Sequence, residues 1–212
     1  MLGGGEASET NDLSVGEISS GLKEALRVGS ERVVDQVSLQ NGYNDDAQIH
    51  IPLPDSLKSV QSALRTVGLS SMADELELKL NRGAEQAAVE AKELFFQAIS
   101  EMTLDDAKRI YNGRDDEATR YFQEKMTPDL TDRFKPVIDR TLSEVGAVQT
   151  YEEMIANYKT IPFVPDVKSD LTNYTVGKAL DGLFYYLAKE EEQIRQNPLA
   201  RTTEILKDVF GS

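Results

Sequence analysis

The chain contains one imidazole, His50, and no thiol. A Ser-His-Asp nucleophile would have to be built on that ring. His50 sits between Ile49 and Ile51 beside prolines, with no nucleophile motif nearby, which reads as a structural or exposed histidine. The absence of cysteine excludes thiolate metal sites and disulfide frameworks, and one histidine excludes any centre built mainly on imidazole. Carboxylates are plentiful in the runs Asp45-Asp46, Asp105-Asp106, Asp115-Asp116-Glu117 and Glu190-Glu191-Glu192. Hard cations such as Ca²⁺ or Mg²⁺ need several oxygens converging from a turn. Asp105, Asp115 and Asp116 are the candidate ligands for such a site, but the glycine-bearing turns at 41–46 and 112–117 do not fit the twelve-residue calcium loop. The stronger reading puts these acids at helix starts, where negative charge meets the positive end of the helix dipole. No cofactor is expected.

A second set of charges lies among apolar or small residues and should be paired wherever it is buried. Arg82 and Glu85 are spaced i to i+3 beside an alanine-rich face, and Asp181 stands amid Ala179, Leu180, Leu183 and Phe184, which implies a buried, paired carboxylate. Glu191 and Arg195 form an i,i+4 pair in the favourable order, and Arg201 follows one turn into the next helical pattern. An anion held between Arg195, Arg201 and a helix start is one reading. An internal salt-bridge network that fixes helix registry is the stronger one. Phe184-Tyr185-Tyr186 spreads three rings over nearly a full helical turn, so at least one leaves the core-facing stripe. Tyr185 or Tyr186 is therefore the candidate lining of a pocket or interface.

These groups are carried almost entirely by helical patterns. Ser14 and Glu17 form a capping box before Ile18, Leu22, Leu26, Val33 and Val37, and Asn41-Gly42 is the stop. On the same segment Gly21, Ala25 and Gly29 make a small-residue stripe, expected to cross the alanine face of Ala84, Ala87, Ala88, Ala91 and Ala98. Only residues 48–53 alternate in period two, and Pro52 and Pro54 make this an extended connector or a lone edge strand. Pro54 opens a helix with Leu57, Val60, Leu64 and Val67. Residues 71–102 form one 32-residue helical pattern with an expected bend at Asn81-Arg82-Gly83. Thr103 caps a short helix, and a second runs from about Asp115 through Phe122. Thr127-Pro128 starts another, which Pro136 should kink and Gly146 should end; Thr150 caps the next. Residues 161–165 are a second proline-stiffened connector, Asp170 begins a helix to about Gln196, and Asn197-Pro198 restarts a terminal one.

The expected architecture is all-α: one domain of about nine helices over residues 13–212, after a flexible glycine-rich tether at 1–12. No run approaches the ~18 apolar residues of a membrane span. With 23 basic and 37 acidic residues the net charge is −14. That balance argues against nucleic acid, whose backbone needs a basic footprint.

Several ordered landmarks resemble a known family. They include Gly21-Leu-Lys-Glu-Ala-Leu26, Ile51-Pro-Leu-Pro54, Asn81-Arg-Gly-Ala-Glu85, Met102-Thr-Leu-Asp-Asp-Ala107, Ala118-Thr-Arg-Tyr-Phe122 and Lys178-Ala-Leu-Asp-Gly-Leu-Phe184. Glu191-Glu-Gln-Ile-Arg195, Asn197-Pro198 and Val209-Phe-Gly211 complete the series. Together they resemble the bacterial domain of unknown function 4197 over about residues 13–211; Gly83 stands where that pattern usually has alanine. The resemblance implies export, often as a lipoprotein, hence a periplasmic or membrane-tethered home in the cell envelope, with a cytoplasmic one as the alternative. It implies no activity, cofactor or catalytic residue. The expected function is non-enzymatic binding of a small apolar or amphiphilic ligand, or of an envelope partner protein, in a groove between helices. The alternatives are a Ca²⁺- or Mg²⁺-dependent protein or hydrolase using the acidic turns, and a purely structural oligomer.

Overall fold

The computed structural model of the protein describes residues 15–163 and 169–196. Within them lie eight α-helices: α1 (Val15–Val37), α2 (Lys58–Thr66), α3 (Ser70–Ala88), α4 (Ala91–Glu101), α5 (Leu104–Tyr111), α6 (Glu117–Glu144), α7 (Ala147–Lys159) and α8 (Leu171–Gln196). A one-turn 3-10 helix, Asp55–Leu57, leads into α2. The all-α expectation holds, and no strand occurs among the described residues. The count of nine is not confirmed, because the expected terminal helix from Asn197, with Arg201 in it, lies outside the described residues. So do the 1–12 tether and residues 164–165 of the second connector.

Three helix boundaries differ from the periodicity, each for a physical reason. The 71–102 pattern is two helices, broken at Val89-Glu90, and α3 runs through Asn81-Arg82-Gly83. Gly83 is there for close packing: a Cβ on it would lie 3.3 Å from Leu142 Cδ2 of α6. The two patterns around Thr127-Pro128 fuse into α6, with Pro128 and Pro136 inside it. An interior proline costs ~3 kcal/mol. Against that, Phe122, Met126, Leu130, Phe134, Ile138 and Leu142 fall four apart and are all buried, each contributing about 1.5–3 kcal/mol. The buried stripe outweighs both prolines. Finally, α7 starts at Ala147, directly after Gly146 at φ 73°. Thr150 is therefore inside the helix rather than its cap, and its hydroxyl accepts from Lys79 Nζ at 2.7 Å.

Other signals hold. Thr103 and Asp106 form a reciprocal capping box at the start of α5. Asn41 turns the chain after α1 with φ 71°, a conformation asparagine tolerates better than most residues.

Apart from Ala25 and Ile194, the buried apolar side chains of the described residues form one continuous cluster from Leu22 to Leu187. The long helices α6 and α8 pack on each other, α3 lies against both, and α1 covers α8, α4 and α5. At Ala25 and Gly29 the small-residue stripe of α1 meets α8 rather than the alanine face. Ala25 pairs with Ile194, and a Cβ on Gly29 would sit 3.2 Å from Glu190 Cγ and 3.3 Å from Ile194 Cδ1. The alanines Ala84, Ala87, Ala88 and Ala91 are buried in the main cluster.

Candidate functional site

The chain between α1 and α2 does not loop over the surface. Residues 41–53 lie between α3 and α8, with Tyr43, Ile49, Ile51 and Leu53 buried. A buried connector leaves backbone groups that helices cannot satisfy. Here α3 supplies the partners from one stripe, Glu77, Asn81 and Glu85, spaced four residues apart. Glu77 Oε2 accepts the Leu53 N–H at 3.1 Å. Asn81 accepts the Ile51 N–H and donates to the Ile51 carbonyl, both at 2.9 Å. Glu85 Oε1 accepts the N–H groups of Tyr43 and Asn44 at 3.3 and 3.2 Å.

The Arg82–Glu85 pair expected from the sequence exists at 2.6 Å, with Glu85 4% exposed. Arg82 also donates to Asn41 Oδ1 at 2.6 Å. Both residues thus hold the connector. His50 belongs to the same junction, its Nδ1 2.7 Å from the Asn44 carbonyl and its Nε2 2.8 Å from Glu77 Oε1.

From the other side, tyrosines of the connector and of α8 tie the two together. Tyr43 donates to the Ala179 carbonyl at 2.7 Å, and Tyr174 to that of Pro52 at 2.9 Å. Gly182 makes room, since a Cβ there would fall 2.7 Å from Tyr43 Cε1 and 3.0 Å from Ile49 Cβ. Tyr185 donates to Gln48 Oε1 at 3.2 Å, and Tyr186 donates to the Asp46 carboxylate. The bond to that anion, then burial, pushes the Tyr186 phenol up to about 12. Burial and the nearby Glu85 charge push the Tyr43 phenol far above its ordinary value.

Tyr185 and Tyr186 pack edge to face, with centroids 5.2 Å apart. They line a groove of about 440 Å³ between α1 and α8, whose walls are Arg32, Val33, Gln36, Lys189, Glu190 and Gln193. Arg32 and Glu190 close one side as an ion pair at 2.8 Å. Two shallower depressions adjoin this groove. One shares Lys189 with it and is bordered by Arg114, Asp115 and Asp116. The other shares Tyr185 and is bordered by Asp116, Arg120 and Gln123. The three meet around Tyr185, Ala188 and Lys189, giving one elongated surface on the outer face of α8.

Glu191 and Arg195 form a second buried unit, 2.9 Å apart and 6% and 11% exposed. Glu191 accepts the Ala118 and Thr119 N–H groups and the Thr119 hydroxyl, each at 2.9 Å, which caps α6. Arg195 donates to the Ile110 and Tyr111 carbonyls at the end of α5. Burial pushes the Glu191 carboxyl up, against the lowering pull of those N–H groups and of Arg195. The anion position beside Arg195 is thus filled by the chain's own carboxylate.

Asp181 is a correction: its side chain is 73% exposed and faces Lys178 at 3.4 Å. The apolar residues flanking it in sequence are on the other side of the helix, which a local window does not distinguish from burial. The candidate metal ligands are not brought together. Asp105 is 97% exposed beside Lys108, Asp115 accepts from Gln196, and Asp116 pairs with Arg114 and Arg120. Among the described residues no three His, Asp or Glu side chains are grouped to hold an ion. Sequence reasoning missed Tyr43, Asp46, Glu77 and Asn81. The available signal was Asn81, one position from Leu80 on the inward face of α3.

The family model described as a protein of unknown function, DUF4197, matches residues 12–211. The chain belongs to the DUF4197 family. No curated protein and no solved structure matches this DUF4197 chain. No helix among its described residues is long and apolar enough to cross a membrane.

Proposed function

We propose that this DUF4197 protein is a non-enzymatic binding protein of the bacterial cell envelope, a single helical domain whose α8 face receives a segment of a partner protein. The observation that carries the reading is the joined surface around Tyr185, Ala188 and Lys189. From Asp181 to Gln193 it follows α8 for ~18 Å, longer than a compact ligand needs. It has interface anatomy: a half-exposed tyrosine at the centre and a rim of both charge signs, from Arg32, Arg114, Arg120 and Lys189 to Asp116, Glu190 and Glu192. The occupant is a polypeptide with an apolar side chain for Tyr185 and Ala188 and polar groups for the rim.

A second reading, a small amphiphile in the 440 Å³ groove, is favoured by that volume, which falls within the range of small-molecule sites. The envelope location comes from the family resemblance alone.

Photo-cross-linking in the native host tests the proposal. A photoreactive phenylalanine analogue at position 185 should give one discrete adduct of protein mass, and the same analogue at exposed Glu152 of α7 should give none. Equal labelling at both positions would remove the surface from consideration. A lipid-sized adduct at 185 would support the amphiphile instead.

A further inference from the structure

His50 faces two acceptors at once: the Asn44 carbonyl at 2.7 Å from Nδ1 and Glu77 Oε1 at 2.8 Å from Nε2. A neutral imidazole carries one N–H and can make only one of these bonds; the doubly protonated ring makes both. Glu77 uses its other oxygen to hold the Leu53 N–H, so both its oxygens act as acceptors, as in a carboxylate. Among the described residues no lysine or arginine forms an ion pair with Glu77, and its cation would be the ring itself. The other titratable groups at this junction are Arg82 and Glu85 on α3, which pair with each other; Tyr43 and Asp46 on the connector, Asp46 being engaged by Tyr186; and Tyr174, Tyr185 and Tyr186 on α8. The Tyr174 phenol is raised by burial and by the charges of Asp55 and Glu77.

His50 is linked to the outer face of α8 through a short path along the chain. Its backbone N–H donates to the Asp46 carbonyl at 2.9 Å. The Asp46 side chain accepts from Tyr186 and from the Gln48 and Ile49 N–H groups, while Gln48 accepts from Tyr185. The residue bonded to α3 and those that orient the two groove tyrosines are thus on the same tightly turned stretch of chain.

We propose that His50 is a proton-operated latch: the doubly protonated ring locks the 41–53 connector to α3, and loss of one proton frees one bond and lets Tyr185 and Tyr186 shift at the groove. As a regulatory device it rests on the reading of that face as the binding surface. The latch is closed when both ring nitrogens carry protons and opens when one proton is lost, because only the doubly protonated ring makes both bonds.

The test is NMR of the full chain, in which the sole histidine gives an unambiguous imidazole signal. At about pH 5, below the ordinary imidazole range, both ring N–H protons should be visible, since each is held in a hydrogen bond. As pH rises one should vanish, and the Tyr185 and Tyr186 ring signals should move with the same midpoint. Protection of the Leu53 N–H, taken relative to His50→Gln at the same pH so that base-catalysed exchange cancels, should fall by about tenfold, the effect of losing one such bond. In His50→Gln, which keeps a polar side chain in place, the tyrosine signals should not move over that range. A single visible ring proton at low pH would overturn the latch. So would tyrosine signals that stay fixed in the wild type, or that move equally in His50→Gln. No partner enters the experiment, so failure to find a binding protein leaves its result standing, and failure of the latch leaves the binding surface intact.

Discussion

Replacing Glu191 with Gln should be the most damaging single-residue change in the molecule outside the apolar core. Glu191 on α8 accepts five hydrogen bonds: two from α6 N–H groups, one from the Thr119 hydroxyl and two from Arg195. All five donors point at the carboxylate, so an amide there must turn its own NH₂ toward at least one of them. It also removes the Glu191 charge that Arg195, 11% exposed, is paired with. Removing one member of a buried ion pair costs about 3–5 kcal/mol. The lost cap on α6, worth about 0.5–2 kcal/mol alone, overlaps with that figure because the same atoms are involved. For a domain of this size each kcal/mol lowers Tm by about 2–4 °C, so the expected drop is about 6–20 °C. The assay is thermal and urea unfolding followed by far-ultraviolet circular dichroism, with Arg195→Met and the double variant completing a cycle. The double variant should be more stable than the sum of the single losses predicts, with a coupling of about 0.5–3 kcal/mol. A loss below about 1 kcal/mol, or strict additivity, would refute the pair as the tie between α5, α6 and α8.

Four further outcomes follow from the packing. Asn81→Leu should cost about 2–4 kcal/mol, because it leaves the Ile51 N–H and carbonyl buried and unpaired; urea midpoints check it. Gly182→Ala should cost about 1–3 kcal/mol in thermal melts, since the new methyl would meet the buried Tyr43 ring and Ile49. Gly29→Leu should lose more than ~1 kcal/mol at the α1–α8 crossing. Gly29→Ala should be nearly neutral, because Glu190 Cγ and Ile194 Cδ1 belong to flexible side chains and alanine regains ~1 kcal/mol of helix propensity. The last outcome concerns Tyr186, whose phenol is pushed up to about 12 when folded. Its contribution is complete below the ordinary value of about 10 and is lost as pH rises through the folded one. Asp46→Asn should move one phenol, read by ultraviolet absorbance titration, back toward that ordinary value.

Helical periodicity made the fold class legible, and so did punctuation whose effect is local. Thr103 with Asp106, the Asn41-Gly42 stop and the Gly146 stop act through their own backbone neighbours. The Arg82–Glu85 and Glu191–Arg195 pairs were legible because helical spacing alone brings them together. What they bond to was not: Glu85 holds the 41–44 turn and Glu191 the start of α6, contacts made across 41 and more residues of chain. Pro128 was misread because a local rule assigns it to a helix start, while the buried stripe from Phe122 to Leu142 is a tertiary effect that exceeds the proline penalty. Asp181 was misread for the converse reason, as its apolar neighbours along the chain point away from it. The connector was the largest omission. Its period-two pattern picked out Ile49, Ile51 and Leu53, which are buried, but residues 47–49 are turned rather than extended, and nothing within residues 48–53 specifies that α3 and α8 close over it.

The claim on which the functional account depends is that the Tyr185–Lys189 face of α8 holds a partner polypeptide. Native mass spectrometry of the protein purified from its own host tests it most directly. Wild type should fly as a complex with one polypeptide in fixed stoichiometry, and a Tyr185→Ala, Lys189→Glu variant of unchanged melting temperature should fly without it. A wild-type protein that carries only Ca²⁺ or Mg²⁺, or a complex that survives both substitutions, would contradict the account.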